Sequence, residues 1–590
     1  MMDIKKILNE PVLYMFRKTW RFSEGNRLKV IFYLCCFIIS NSIYLLWPLV
    51  MAEILNLVQT GGMSLDNLPK IILLLSSFVL ITLGFWLFHG PARVIEHNNA
   101  FLVRAKYKKY LLDGVMNLPA AWHTNHHSGD TIDRIEKSSR ALHDFAHDTY
   151  EVIETVVQLI GAYIALIYFN VHSSYFVITI GIMAVIVILL FDRVLIRQYY
   201  KLNREENKIS AKIYDTVGNI TTVIILRIEK LLSKSIWKRM IAPYNLSSQN
   251  VKIDETKWFV VSILTSLMFL TVMGSYIVFE LRAGAVILVG TLAALYGYID
   301  MINHLFFRFA YRYGDIVKFK TAMLNGEEIA VQFEKLKKVK TVNLPKAWKE
   351  ISVNGLSFSY TGASKDLSDV SLSFRHGEKI ALVGESGSGK TTFMKIMRNL
   401  YSMKSGKVFV DGEKLIGGFA AIGPSVSLIP QEPEIFATNI LENITMGVRH
   451  PFSVVKVYTD MAEFTRVANG LPNKFKSSIV EKGVNLSGGQ KQRLALARGL
   501  LASVDKEIVL LDESTSSVDT LTERKIYHNI FKKFRNKTII VSVHRLHLLP
   551  EFDRIMYFSK GKLIGVGTLL ELRRSSRSFA NLWHKYKNLK

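Results

Sequence analysis

Cysteine is nearly absent. The 590 residues contain two, Cys35 and Cys36, side by side inside an apolar run. That excludes a disulfide framework, and neither a CxxC pair nor zinc-ligand spacing occurs. The N-terminus "MMDIKKILNE" lacks the apolar core and small-residue cleavage site of a signal peptide, so neither removal nor secretion is expected. Acidic residues are scarce beside basic ones, 49 against 75, for a formal charge of +26. A surplus of that size suggests nucleic acid or an anionic membrane if it lies on one face.

Apolar residues are abundant. They make up 49% of the chain, and the mean hydropathy is +0.20. Six apolar segments fill the first half, at 30–50, 71–88, 152–169, 175–191, 258–279 and 285–307. Each is about the 17–25 residues that a helix needs to cross a bilayer. The connections at 59–69 and 170–174 carry no lysine or arginine, and 280–284 carries only Arg282. The long segments 92–140 and 193–257 are rich in both, which sets them and both termini in the cytoplasm. This bias accounts for most of the net charge, and nucleic acid loses its support. The inner loops have helical patterning, so the membrane helices are expected to continue into the cytoplasm and return. Ahead of the first span, "PVLYMFRKTWRF" at 11–22 mixes apolar, aromatic and basic residues, as an interfacial helix on the inner leaflet would.

Few ionisable residues fall within the spans. Asp300, His304 and Arg308 recur at i, i+4 and i+8, on one face of the sixth helix. They fit a polar stripe lining a substrate cavity, or equally residues already at the lipid–water boundary. His123, His126 and His127 in "HTNHH" have helical spacing, but no acidic or cysteine partner accompanies them, which argues against a metal site.

The pattern changes near 340. "KIALVG" is a short apolar strand, "ESGSGK" a turn and "TTFMKIMRNL" a helix, the context a phosphate-binding loop requires. Gly384, Gly387 and Gly389, within Gly384–Glu385–Ser386–Gly387–Ser388–Gly389, let backbone N–H groups turn inward around phosphates. Lys390 can reach the β- and γ-phosphates and Thr391, followed by Thr392, can bind Mg²⁺. "IVLLDE" at 508–513 is a buried strand ending in two carboxylates. Asp512 is expected to hold Mg²⁺ through water, and Glu513 to orient and deprotonate an attacking water.

A second glycine-rich stretch, "LSGGQ", has no lysine at the spacing of the first. It can still offer Ser487 and the N–H groups of Gly488 and Gly489, followed by Gln490, at the start of a helix. Together these stretches resemble the ATP-binding cassette family, whose signature motif is LSGGQ. In that family the signature of one subunit closes over ATP held by its partner. The resemblance implies that Tyr360 stacks on adenine, that Gln431 touches Mg²⁺ and water, and that Asp519 in "SSVD" crosses the dimer. It further implies that His544 in "VSVHRL" contacts the γ-phosphate and that "VEKG" at 480–483 is the segment preceding the signature. Departures are small: GKTT replaces GKST, and Ser517–Val518 replaces Ala–Leu.

The whole chain resembles the half-transporter form of the type IV exporters. That resemblance implies an all-α six-helix transmembrane domain with long cytoplasmic helices, followed by an α/β P-loop NTPase cassette. The expected boundaries are 1–27 for an interfacial elbow, 28–330 for the membrane domain, 331–348 for a linker and 349–590 for the cassette. Segments near 135–145 and 213–224 match the family's coupling helices and are expected to dock near Gln431. ATP and Mg²⁺ are the implied cofactors. The partner is a second half-transporter, with a homodimer favoured over a heterodimer because every catalytic position is intact. A bacterial inner membrane is the expected location. The aromatic and aliphatic spans lean toward a lipid or lipophilic-drug exporter. A glutathione-conjugate or metal-thiol exporter, or an ATP-gated channel or regulatory membrane protein, are the alternatives. A peptide exporter with its own leader peptidase is disfavoured, since about 28 residues precede the first span.

Overall fold

The computed structural model describes residues 10–62, 64–336, 341–360, 366–479 and 486–587. It divides into two compact units, the first Met1–Leu118 with Trp122–Leu336 and the second Pro119–Ala121 with Lys337–Lys590.

The first unit is helical. Its longest helices are Leu68–Met116, Ser173–Gly218, Tyr244–Arg282 and Val289–Glu334, of 49, 46, 39 and 46 residues. At 1.5 Å per residue they measure roughly 60–75 Å, about twice the hydrocarbon core of a bilayer. They therefore run well past the membrane, and charge enters where they leave it, as in "RAKYKKY" at 104–110. Five helical stretches are long and apolar enough to span: Arg27–Gly61, Leu68–Met116, Ser128–Phe169, Ser174–Gly218 and Glu229–Arg282. The segment 285–307, expected as a sixth span, falls on the helix Val289–Glu334, which carries Asp300, Asn303, His304 and Arg308 and is not among those five. Its apolar face packs inside the unit. Leu295, Tyr298, Ile299 and Ile302 are fully buried against Leu166, Met268 and Val272, so the polar positions fall on another face.

The helix Pro11–Phe22 buries Tyr14, Met15 and Thr19. It packs on a cluster that includes Tyr107, Leu142 and Phe145. Tyr14 donates to Glu327 at 2.6 Å, and Lys18 pairs with the same carboxylate. Leu13 and Trp20 remain exposed. One face thus meets protein while the other stays free.

The segment 135–145, expected at a loop tip, is instead the middle of the 20-residue helix Ser128–His147. Ile135, Ser138, Ser139, Ala141, Leu142 and Phe145 are buried there, on the face the helix turns into its own unit. The segment 213–224 crosses from Ser173–Gly218 into the short helix Ile220–Leu226, where Ile224, Ile225 and Leu226 are exposed.

The second unit contains two sheets. Strands β1 (Glu350–Phe358), β2 (Leu367–Arg375), β4 (Ser405–Val410) and β5 (Glu413–Lys414) form an antiparallel sheet in the order β2-β1-β4-β5. The other has the order β10-β9-β3-β8-β7-β6, with β3 Lys379–Val383, β6 Val426–Ile429, β7 Ile508–Asp512, β8 Thr538–Ser542, β9 Arg554–Ser559 and β10 Lys562–Gly567. All its pairings are parallel except β9 with β10. Strands β3, β7 and β8 are buried at every residue, which is why their central positions read as apolar runs. Their carboxyl ends deliver the segments after Val383, Leu511 and Ser542 to one edge of the sheet, where parallel α/β folds bind ligands.

Candidate functional site: a nucleotide cradle and a charged membrane cavity

The loop after β3 is shaped by its glycines. Gly389 has φ +105°, and a Cβ there would lie 2.6 Å from Leu367. A Cβ on Gly384 would lie 2.2 Å from the carbonyl oxygen of Phe558. Only glycine lets this loop pass so close to β9. Lys390 opens the helix Lys390–Met397, and its ammonium folds back to donate to Gly384 O at 2.8 Å and Glu385 O at 3.1 Å. Burial pulls the Lys390 ammonium below the usual lysine range, while Glu513 and Asp512 oppose the shift. Glu385, Ser386, Gly387 and Ser388 form the turn between strand and helix, with Ser388 buried. Tyr360, half-exposed, stands with its hydroxyl 3.5 Å from Thr392 Oγ1 and its ring edge-on to Tyr401.

Strand β7 ends at Asp512. The Thr391 hydroxyl donates to Asp512 Oδ1 at 3.0 Å, although 121 residues separate them. Burial raises the Asp512 carboxyl above its ordinary range, and the Thr391 hydrogen bond opposes this. Glu513 follows with φ +44°, a left-handed conformation that is costly for a non-glycine residue. Gln431 donates from Nε2 to Glu513 Oε2 at 2.8 Å, and His544 Nε2 lies 2.5 Å from Oε1. Thr391 and Asp512 thus present a hydroxyl and a carboxylate beside one another. Hard oxygen donors of this kind suit Mg²⁺.

Ser487 N-caps the helix Gly488–Ala502 in a reciprocal box with Gln490. Ser487 N donates to Gln490 Oε1 at 2.9 Å, and Gln490 N to Ser487 Oγ at 3.3 Å. A Cβ on Gly489 would lie 2.8 Å from Ser517 O. The cap therefore rests against Ser517. Asp519 N-caps Thr520–Lys533, accepting from Thr522 N at 2.9 Å, and that backbone bond lowers its carboxyl pKa. Residues 480–483 lie outside the described residues.

Three residues of this network carry no motif of their own. Arg545, next to His544, donates to Val518 O at 2.6 Å, Ser516 O at 3.1 Å and the buried carboxylate of Glu523 at 3.2 Å. Glu523 also accepts from Thr515 at 2.7 Å. Gln492 donates to Ser516 Oγ and accepts from Ser517 N at 2.8 and 2.7 Å. Arginine directly after the switch histidine was the one signal in the sequence. Its carbonyl partners become visible only in the fold.

In the membrane unit, Asp300, His304 and Arg308 line a single cavity of about 420 Å³ with Glu154, Gln158, Tyr150, Tyr44 and Trp47. Arg308 pairs with Glu154, and His304 Nε2 lies 3.6 Å from Asp300 Oδ2. The three residues that share one helix face thus line one cavity. The ring nitrogens of His123 and His126 contact the backbone carbonyls of Val115 and Trp122 at 3.1 and 2.8 Å.

A phosphate loop between a buried strand and a helix, facing a second buried strand that ends in Asp512–Glu513, defines a P-loop NTPase. It is fused to a helical membrane unit. Family models described as "ABC transporter transmembrane region" and "ABC transporter" match residues 30–299 and 367–516. The chain belongs to the ABC transporters, with the membrane region ahead of an ATPase cassette. ComA of Streptococcus pneumoniae, a transport/processing ATP-binding protein, is 23% identical over 531 residues, 86% of this chain and 71% of ComA. The mitochondrial iron-sulfur clusters transporter ATM1 of Debaryomyces hansenii is 34% identical over 245 residues, 41% of this chain and 35% of ATM1. A bacterial Atm1-family ABC exporter with ATP bound superposes with TM-score 0.83 at 19% identity, covering 95% of this chain and 99% of that one. That likeness is one of fold.

Proposed function

We propose that this chain is one half of an ATP-driven exporter whose substrate is polar and charge-bearing at one end and apolar at the other. A glutathione conjugate or metal-thiol complex has that chemistry. The observation that carries the reading is the cavity lined by Glu154, Asp300, His304 and Arg308 beside Tyr44 and Trp47. Charges at membrane depth are costly and are retained where they meet a ligand or each other. A lipophilic drug has no use for three charged groups and a histidine, so this reading favours the alternative over the lean toward a lipophile drawn from apolar spans.

In the cassette, Lys390 and the N–H groups of the loop would bind the phosphates, and Tyr360 would stack on the adenine. Glu513, held by Gln431 and His544, would take a proton from the attacking water as His544 contacts the terminal phosphate. Mg²⁺, held by Thr391, Gln431 and through water by Asp512, would neutralise phosphate charge. The Ser487–Gln490 cap has the glycines to cradle phosphate but no lysine, which supports a second half-transporter supplying that cap in trans. Intact catalytic positions in this chain favour two copies of it, with Asp519 near the shared face. ATP can drive transport only by favouring the closed cassette pair over the open one.

The test is ATPase activity of the purified protein in lipid nanodiscs with S-hexylglutathione, a lipophilic drug and a charged peptide. Stimulation by S-hexylglutathione, shifted to about tenfold higher concentration in Arg308→Gln, is expected. Stimulation by the drug alone, unchanged in that variant, would overturn the substrate class.

A further inference from the structure

A second, smaller cavity of about 90 Å³ lies between the helices Ser173–Gly218, Tyr244–Arg282 and Val289–Glu334. The transport reading makes no use of it. Asp192, Trp258 and Tyr311 place it at the cytoplasmic ends of three of the apolar segments. Its charged residues are Asp192, Asp254, Asp315, Lys257 and Lys318, three carboxylates against two ammoniums.

Both lysines are engaged. Lys257 Nζ lies 2.7 Å from Asp254 and 3.2 Å from Asp192 Oδ1. Lys318 Nζ lies 2.9 Å from Asp315 and sits over the Tyr199 ring, 4.8 Å from its centroid. Asp192 is left half-satisfied. Its side chain is only 4% exposed, yet Oδ2 has no hydrogen-bond partner. A buried carboxylate oxygen without a donor is expensive. One more cationic donor would satisfy it and cancel the excess negative charge. The walls favour such a guest, because Tyr199, Tyr200, Trp258 and Tyr311 surround the site and aromatic faces attract organic cations.

We propose that this cavity binds a primary ammonium group, donated to Asp192 Oδ2 and enclosed by the tyrosines and Trp258. The group can come from an aminophospholipid headgroup at the inner leaflet or from a small free amine. The site is separate from the transport cavity and does not depend on the substrate assigned to it.

Ethanolamine would be titrated calorimetrically into the full chain in phosphatidylcholine nanodiscs, with ethanol as the control. Saturable binding of ethanolamine but not ethanol is expected. Asp192→Asn should abolish it while nucleotide binding by the cassette persists. Tyr200→Leu, at an exposed wall position, should weaken it about fivefold without touching the ion pairs. Loss of ethanolamine binding in discs containing phosphatidylethanolamine would identify the lipid as the occupant, and retained binding a free amine. No saturable binding in phosphatidylcholine discs, or binding unchanged in Asp192→Asn, would overturn the proposal.

Discussion

Gln431 and Glu513 meet at 2.8 Å, the amide donating to one carboxylate oxygen while His544 stands at the other. A side chain held from both sides cannot swing, and its backbone, at φ +44°, is fixed in a conformation that few residues adopt. Glu513→Gln keeps the shape and removes the base. ATP binding should persist while turnover falls by about 10²-fold or more. Filter binding of nucleotide beside phosphate release separates the two, and normal hydrolysis in this variant would remove Glu513 from its role.

The cap at Ser487 allows a graded experiment. Ser487→Ala loses the side-chain bond to Gln490 N, a stability cost of about 1 kcal/mol. Ser487→Arg adds bulk and positive charge where a partner's nucleotide would close. If the cap serves a second subunit, the arginine variant should lose nearly all ATPase activity while alanine keeps most of it. Equal activities would disprove closure across a dimer.

Arg545 ties the switch-histidine segment to the carbonyls of Ser516 and Val518 and to buried Glu523. Arg545→Gln should destabilise the cassette by about 2 kcal/mol, since charged hydrogen bonds are lost around a buried carboxylate. Adding Glu523→Gln should recover part of that loss, because the remaining cost is an unpaired charge. Urea unfolding of the single and double variants reads the coupling. Additive losses would show that the two residues act independently.

Burial holds the Asp512 carboxyl above its ordinary range. The empty folded cassette therefore binds this proton more readily than the unfolded chain. Its stability contribution is greatest at acidic pH and declines as pH rises through the raised pKa. Asp512→Asn should flatten that decline and raise the melting temperature of the nucleotide-free protein at neutral pH. The same variant should lose the extra stabilisation that Mg²⁺ adds to bound ATP. Thermal melts across pH 4–8, with and without Mg·ATP, test both signs.

In the membrane cavity, Arg308 is paired with Glu154. Arg308→Gln should raise the half-stimulating concentration of an anionic conjugate about tenfold. Titrating S-hexylglutathione against ATPase rate measures it.

The sequence alone determined what local chemistry determines. Apolar runs of membrane length, the placement of lysine and arginine, the phosphate loop and the acidic strand end are contiguous patterns, each with a physical demand on neighbouring residues. The order of motifs was legible for the same reason. Tertiary structure decided what lies far apart in the chain. It alone brought Glu154 to Arg308 and Gln431 to Glu513, and it turned 135–145 from a loop tip into a buried helix. Counting charges along a span says how many there are, but only packing decides whether they face lipid, protein or a shared cavity, because a helix presents all its faces to the sequence and only one to each neighbour.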